Sequence, residues 1–335
     1  MRKRITLTLA LMLMLIAVLP AFAEEPFTIG IAYKQSGNPY FDATTDGFKE
    51  AQKELGFRFI ENGPADASNE GQIQIIEGFI QQDVDIIAIS ANDAAGVVNI
   101  LQVAMENGIK VISFDSPVNP EGRSLHINAI VEETICQNML RDIAEQIGYE
   151  GQIAILSGGA TMEDHKVRNQ CIKNELQKEE YANIELVTIV YGDNLTDRSY
   201  QEMQGLIDSY PNLKGVIAPT TVAIAAAATC IQDNELTGQI KLMGMGLPSE
   251  MAEYILDGVC ESMYLWNPID LGYCTAYACH ALLNGTLDAS VGSTFYAGRL
   301  GNMEIRDDGN GNPLVVVNDP FCFNAENVAE WKDIF

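Results

Sequence analysis

Histidine is scarce in this 335-residue chain. Only His126, His165 and His280 occur, and no two share a spacing that would ligate a metal. GxSxG, HExxH and GxxxxGK[ST] are missing as well, which removes the usual signatures of serine hydrolysis, zinc peptidases and phosphate-cradling loops. "GMGLPS" (residues 244–249) has two glycines of a dinucleotide turn but not the third, and reads as a turn before a helix. "DDGNGN" (residues 307–312) lacks the ligand set and closing glutamate of a calcium loop. Positive charge is also in short supply: 20 basic against 46 acidic residues leave a net charge of −26. That balance argues against nucleic acid or an anionic membrane surface as a partner. The seven cysteines include no CxxC pair, cannot all be bridged, and lie in apolar contexts such as "AAAATCI" and "GYCTAYACHALL". Buried thiols are expected rather than a disulfide framework. No cofactor and no metal follow from these residues.

Long apolar runs are absent too, apart from one at the start. Arg2, Lys3 and Arg4 precede "ITLTLALMLMLIAVLP", and "AFA" (Ala21–Ala23) supplies small residues before Glu24. This is the pattern of a cleavable signal peptide over residues 1–23, and its apolar stretch is shorter than the ~20 residues a spanning helix needs. The reading is a secreted, periplasmic or otherwise extracytoplasmic protein. Its mature form would carry 17 basic and 46 acidic residues, net −29.

What is present is alternation. Short apolar strands are expected at 27–33, 57–61, 86–90 and 111–114, with helices at 40–55, 70–82 and 94–107 between them. After "NPEGRSLHIN" the pattern restarts. Strands near 152–156, 184–190, 215–218, 241–244 and 261–266 alternate with helices at 131–147, 161–178, 196–209, 221–233 and 249–256. A helix at 268–283 and a strand-rich tail with a turn at "DDGNGNP" complete the chain. The fold class is α/β, built from two doubly wound parallel-sheet domains. Asn69 with Gln72 is expected to form a capping box, and Gly56 and Gly108 to terminate helices in the left-handed conformation.

Ligands of open α/β sheets bind beyond the carboxyl ends of the strands. Those ends hold Lys34, Gln35, Asn38, Tyr40 and Phe41 after the first strand, Ser90 and Asn92 after the third, and Asp115 and Ser116 after the fourth. The second half contributes Ser157, Asp164 and His165, then Asn194, then Pro219, Thr220 and Thr221, and finally Trp266 and Asn267. Carboxylates and amides pair with vicinal hydroxyls, and aromatic rings offer flat faces to C–H surfaces. Taken singly, each residue is better explained by a turn or cap. Together they describe a cleft for a small, uncharged, polyhydroxylated ligand.

"KQSGNPYFDATTDGFKEAQKELG", "NGPADASNEGQIQIIEGFI", "AISANDAAG", "FDSPVNPEGR", "VIAPTT", "GMGLPSEMA" and "LWNPIDLGY" resemble, in order, the periplasmic-binding-protein family that serves ABC sugar importers. Within it they look like the branch that holds the rhamnose- and autoinducer-2-binding proteins, with "VYGDNLTDRSY" and "WNPIDLGY" nearer the rhamnose side. The resemblance implies a three-strand hinge with the ligand cleft between the domains. One lobe would span 24–126 plus 263–291, the other 127–262 plus 292–335. Lys34, Asp115, Asp164, Pro219 and Trp266 match the autoinducer-2 pocket. His165 stands where that pocket has glutamine, Thr221 where it has alanine, and Asn267 where it has aspartate. "TMEDHK" (residues 161–166) in turn departs from the amide-rich loop of rhamnose binders.

The expected ligand-binding set is Lys34, Tyr40, Phe41, Asn92, Asp115, Asp164, His165, Pro219, Thr221, Trp266 and Asn267. The implied role is capture of a small sugar, rhamnose first, by a monomer that closes about its hinge and delivers to a membrane permease. Autoinducer-2 uptake or sensing is the alternative. A glycosidase reading would use Asp115 and Asp164 as its carboxylate pair. Lys34 beside Asp115 favours the ionised carboxylate and argues against a general acid there, so no enzyme is expected.

Overall fold

Residues 26–335 are described in the computed structural model. The expected signal peptide, 1–23, lies outside them. Both halves of the chain form parallel sheets flanked by helices. The first half runs β1 (Thr28–Ala32), α1 (Pro39–Leu55), β2 (Arg58–Asn62), α2 (Asn69–Gln81), β3 (Ile86–Ile89), α3 (Val98–Glu106), β4 (Lys110–Phe114) and β5 (His126–Asn128). The second runs α4 (Glu132–Gln146), β6 (Gly151–Ser157), α5 (Glu163–Glu175), β7 (Ile184–Tyr191), α6 (Thr196–Ser209), β8 (Leu213–Ala218), α7 (Thr221–Asp233), β9 (Lys241–Gly244), α8 (Pro248–Leu256) and β10 (Ser262–Leu265). Then come α9 (Pro268–Leu283), the small pair β11 (Thr294–Tyr296) and β12 (Asn302–Glu304), β13 (Arg306–Asp307), β14 (Pro313–Val316) and β15 (Phe321–Asn324).

The first sheet has the order β13-β14-β5-β4-β3-β1-β2, the second β7-β6-β8-β9. Covered on both faces, their central strands are continuously apolar, as buried parallel strands must be. Ile29, Ile31, Ile86, Ile87, Ile89 and Phe114 are fully buried in one, and Ile153, Ile155, Val216 and Ile217 in the other. The chain crosses between lobes three times: between β5 and α4, between β10 and α9 through Trp266 and Asn267, and between β14 and β15, which pairs with β10.

Four local expectations are corrected. β13 and β14 belong to the first sheet, where Leu314 and Val315 pair with His126 and Ile127, although 292–335 was assigned to the second lobe. Ser68, not Asn69, caps α2, and Gln72 is turned inward to hydrogen-bond Tyr33, Ser90 and Asn92. The α3 helix starts at Val98 rather than 94 because the Asp93 carboxylate takes the Ala95 and Gly96 N–H groups in a turn. Finally, Cys136 and Cys171 form a disulfide, made possible because α4 and α5 lie side by side with those Cα atoms 6.2 Å apart. The other five cysteines are free.

One packing contact sets the frame of the cleft. The α1 and α9 helices approach so closely that a Cβ on Gly47 would sit 2.0 Å from the Ile269 carbonyl oxygen. One on Gly272 would sit 2.0 Å from that of Thr44. Glycine is required at both places. This contact ties the helix that carries Tyr40 and Phe41 to the crossing that carries Trp266.

Candidate functional site

A cavity of about 40 Å³ lies between the lobes, lined from the first by Lys34, Asn38, Tyr40, Phe41 and Asp115, from the second by Asp164, His165, Arg168, Asn194, Thr220, Thr221 and Met245, and by Leu265 and Trp266 at a crossing. Its first-lobe wall is the carboxyl edge of the sheet. Lys34 follows β1 and is buried, with its Nζ 3.1 Å from Asp115 Oδ2 and 2.9 Å from Asp164 Oδ2. It therefore bridges a carboxylate of its own lobe to one of the other. Burial alone would lower the Lys34 pKa, but Asp115 and Asp164 outweigh that and raise it.

Asp115 follows β4 with a positive φ of 58°, a left-handed conformation that Asp tolerates better than most side chains. The strain aims its carboxylate into the site, where Ser90 Oγ donates to Oδ2 at 2.7 Å and Tyr40 OH to Oδ1 at 3.0 Å. Trp266 Nε1 donates in turn to Tyr40 OH at 2.9 Å. Tyr40 is thus a hydrogen-bond relay rather than only an apolar face. Phe41 stacks on Tyr33 at 4.9 Å and stands at the cavity wall.

On the opposite wall, Asp164 lies in the first turn of α5, where a negative charge suits the helix dipole. Ser116 Oγ of the first lobe donates to its Oδ1 at 2.9 Å, and Arg168 Nη1 is 3.3 Å from its Oδ2. Burial opposes ionisation of Asp164, yet neighbouring His165, Lys34 and Arg168 hold its pKa well below the usual carboxylate range. His165 Nδ1 accepts the Gly159 N–H at 3.0 Å, so the proton sits on Nε2, which is 3.5 Å from Asp164 Oδ2. Burial, reinforced by Lys34 and Arg168 and opposed by Asp164, pushes the imidazole down to about 4. At neutral pH, His165 is an uncharged donor. Gly158 makes room for it, since a Cβ there would lie 2.3 Å from His165 Cε1.

The expected residues separate into two groups. Lys34, Tyr40, Phe41, Asp115, Asp164, His165, Thr221 and Trp266 come together at the cavity. Asn92, Pro219 and Asn267 do not line it. Asn92 donates to the Lys34 carbonyl at 2.8 Å, the Pro219 carbonyl faces Arg168 Nη1 at 3.5 Å, and Asn267 caps α9 through Ile269 N and Asp270 N. Asn92 thus holds the backbone of a lining residue, Pro219 accepts from the side chain of one, and Asn267 caps the helix that follows Trp266. Arg168 was missed because it sits inside a helix rather than at a strand end; the Asp164-x-x-x-Arg168 spacing, one helical turn, was the available signal. Asn194 stands at a strand end but outside the expected binding set. Its Oδ1 is buried without a hydrogen-bond partner, an acceptor that a ligand hydroxyl would satisfy.

The chemistry of the cavity is consistent throughout. Two cations, Lys34 and Arg168, face three carboxylates, Asp115, Asp164 and Glu132, and every one of them is engaged in an ion pair. Two positive against three negative charges leave a net of about −1, which disfavours an anionic ligand. Phe41, Met245, Leu265 and Trp266 add an apolar side.

Residues 29–287 match the periplasmic binding protein domain family. A solute-binding protein of an ABC transporter from Clostridium phytofermentas, solved with bound L-rhamnose, is 34% identical with a TM-score of 0.90, over 92% of this chain and 99% of that one. A sugar ABC transporter protein from Actinomyces odontolyticus is 36% identical with a TM-score of 0.71, over 91% and 97%. The LsrB protein from Clostridium saccharobutylicum, in complex with AI-2, shares the fold at 21% identity and a TM-score of 0.86, over 91% and 99%.

Proposed function

The chain belongs to the periplasmic-binding-protein family, and from that premise we propose that it captures a small uncharged sugar, L-rhamnose, outside the cytoplasm and hands it to the permease of an ABC importer. It is a binding protein and not an enzyme. The observation that carries the reading is the cavity wall: paired charges that can still accept and donate to hydroxyls, set against an apolar side suited to a ring face and a methyl group. Similarity to the rhamnose-bound protein supports the choice of sugar.

Binding and closure are one event in this account. Contacts from Lys34 and Asp115 on one lobe and Asp164, His165 and Thr221 on the other exist together only when the lobes meet, so ligand shifts the population toward the closed form. A micromolar dissociation constant would represent about 8 kcal/mol after closure has been offset. The protein acts as a monomer, secreted by cleavage after Ala23. The second reading is autoinducer-2 capture, favoured by the Lys34, Asp115 and Asp164 set and by fold likeness. His165 in place of glutamine and Thr221 in place of alanine weigh against it. A thermal-shift panel of L-rhamnose, pentoses, hexoses and autoinducer-2 tests the proposal: stabilisation by L-rhamnose above all others is expected, and stabilisation by autoinducer-2 alone would replace it.

A further inference from the structure

The side chains of the site close into a ring that takes in one of the three crossings and sends a branch beside a second. Trp266, on the second crossing, donates to Tyr40, which donates to Asp115. Asp115 pairs with Lys34 and Lys34 with Asp164. Asp164 then pairs with Arg168, whose guanidinium lies 5.5 Å over the Trp266 ring and returns to the start. Arg168 reaches one step further, since Nε and Nη2 engage both oxygens of Glu132 at 2.7 and 2.9 Å. Glu132 is the first residue of α4, immediately after the first crossing; it does not line the cavity that holds Lys34, but lines a neighbouring one that also touches Asp115 and Asp164.

We infer that Arg168, held by Glu132, couples the hinge to the ligand site, and that Glu132 is a positioning residue acting through it. The bidentate fork fixes the plane of the guanidinium. That plane settles both where Nη1 meets Asp164 and how the flat face meets Trp266. Rotation of either crossing must therefore move Arg168, and movement of Arg168 must disturb the Asp164–Lys34 contact that joins the lobes. A ligand touching Asp164 is felt at both crossings by the same route. This inference deepens the sugar-capture reading but can be tested apart from it.

With only two tryptophans in the chain, Trp266 and Trp331, fluorotryptophan-labelled protein should give two fluorine NMR resonances. The Trp266 signal is identified by its loss in Trp266→Phe. In the ligand-free protein, Glu132→Gln and Arg168→Met are expected to shift the Trp266 resonance similarly. The double variant should shift it no further than the larger single change, and Trp331 should not respond. Arg168→Lys, which keeps the charge but not the fork, should behave like Arg168→Met. An unmoved Trp266 signal in Glu132→Gln, or shifts that add in the double variant, overturns the coupling. In parallel, the dissociation constant for L-rhamnose should rise tenfold or more in folded Glu132→Gln, although that residue does not line the cavity that holds Lys34. An unchanged constant would also overturn it. If wild type itself ignored L-rhamnose, the sugar assignment would fall, and the resonance measurements would still decide the coupling.

Discussion

Replacing Lys34 with methionine removes one charge while keeping most of the volume, and its consequences can be worked through. Nζ lies between Asp115 and Asp164, at 3.1 and 2.9 Å, and all three side chains are nearly inaccessible. Removing one member of a buried ion pair typically costs about 3–5 kcal/mol, because the remaining charge is left desolvated. Here two carboxylates would be left facing each other. They have an escape: opening the cleft returns both to water. The penalty therefore falls on closure more than on folding, and about 3–5 kcal/mol corresponds to a closed population lowered by roughly 10²–10³-fold or more. Because capture requires closure, the dissociation constant should rise by at least about 100-fold. Calorimetry with L-rhamnose and small-angle scattering measure both quantities. The variant should bind weakly and remain expanded with sugar present. A dissociation constant within threefold of wild type, with an unchanged radius, would refute the reasoning.

Other consequences can be checked on the ligand-free protein. His165 is pushed down to about 4, so the unfolded chain gains its proton near pH 6.5 while the folded protein does not. Stability should therefore fall as pH drops from 6.5 toward 4, by about 3 kcal/mol from this group. His126, pushed down to about 3 chiefly by burial, adds in the same direction. Urea titrations across that range should show a shallower loss for His165→Gln, and an identical slope would count against a neutral buried imidazole. Gly272→Ala should lower stability by about 1–3 kcal/mol, since its methyl would meet the Thr44 carbonyl oxygen; a thermal melt within a degree of wild type would deny the close α1–α9 approach. The disulfide closes a separation of 35 residues, so selective reduction should cost about 4 kcal/mol by the chain-entropy estimate. Thiol titration of the unfolded, unreduced protein should find five free groups, and seven would mean that no bridge forms.

Much of the site could be read from the strand ends because a parallel sheet delivers those positions to one edge. Lys34, Asp115 and Asp164 meet there for that reason. The direction of a side chain one residue away could not be read in the same way. Asn92, Pro219 and Asn267 occupy equivalent places in the sequence, yet Asn92 faces backbone, the Pro219 carbonyl meets Arg168 and Asn267 caps a helix. Arg168 was hidden by its setting, since a mid-helix arginine among Lys166 and Lys173 looks like solvated surface until α5 is packed against Glu132. Non-local pairings were the hardest to foresee. The return of Pro313–Val316 to the first sheet and the Cys136–Cys171 bridge depend on the packing of elements far apart in sequence.

Calorimetric titration of protein stripped of ligand by unfolding and refolding tests the central claim most directly. L-Rhamnose should bind one-to-one and saturably, with no heat from autoinducer-2, and the L-rhamnose signal should vanish in Asp115→Ala. Saturable binding of autoinducer-2 with none of L-rhamnose would contradict the account.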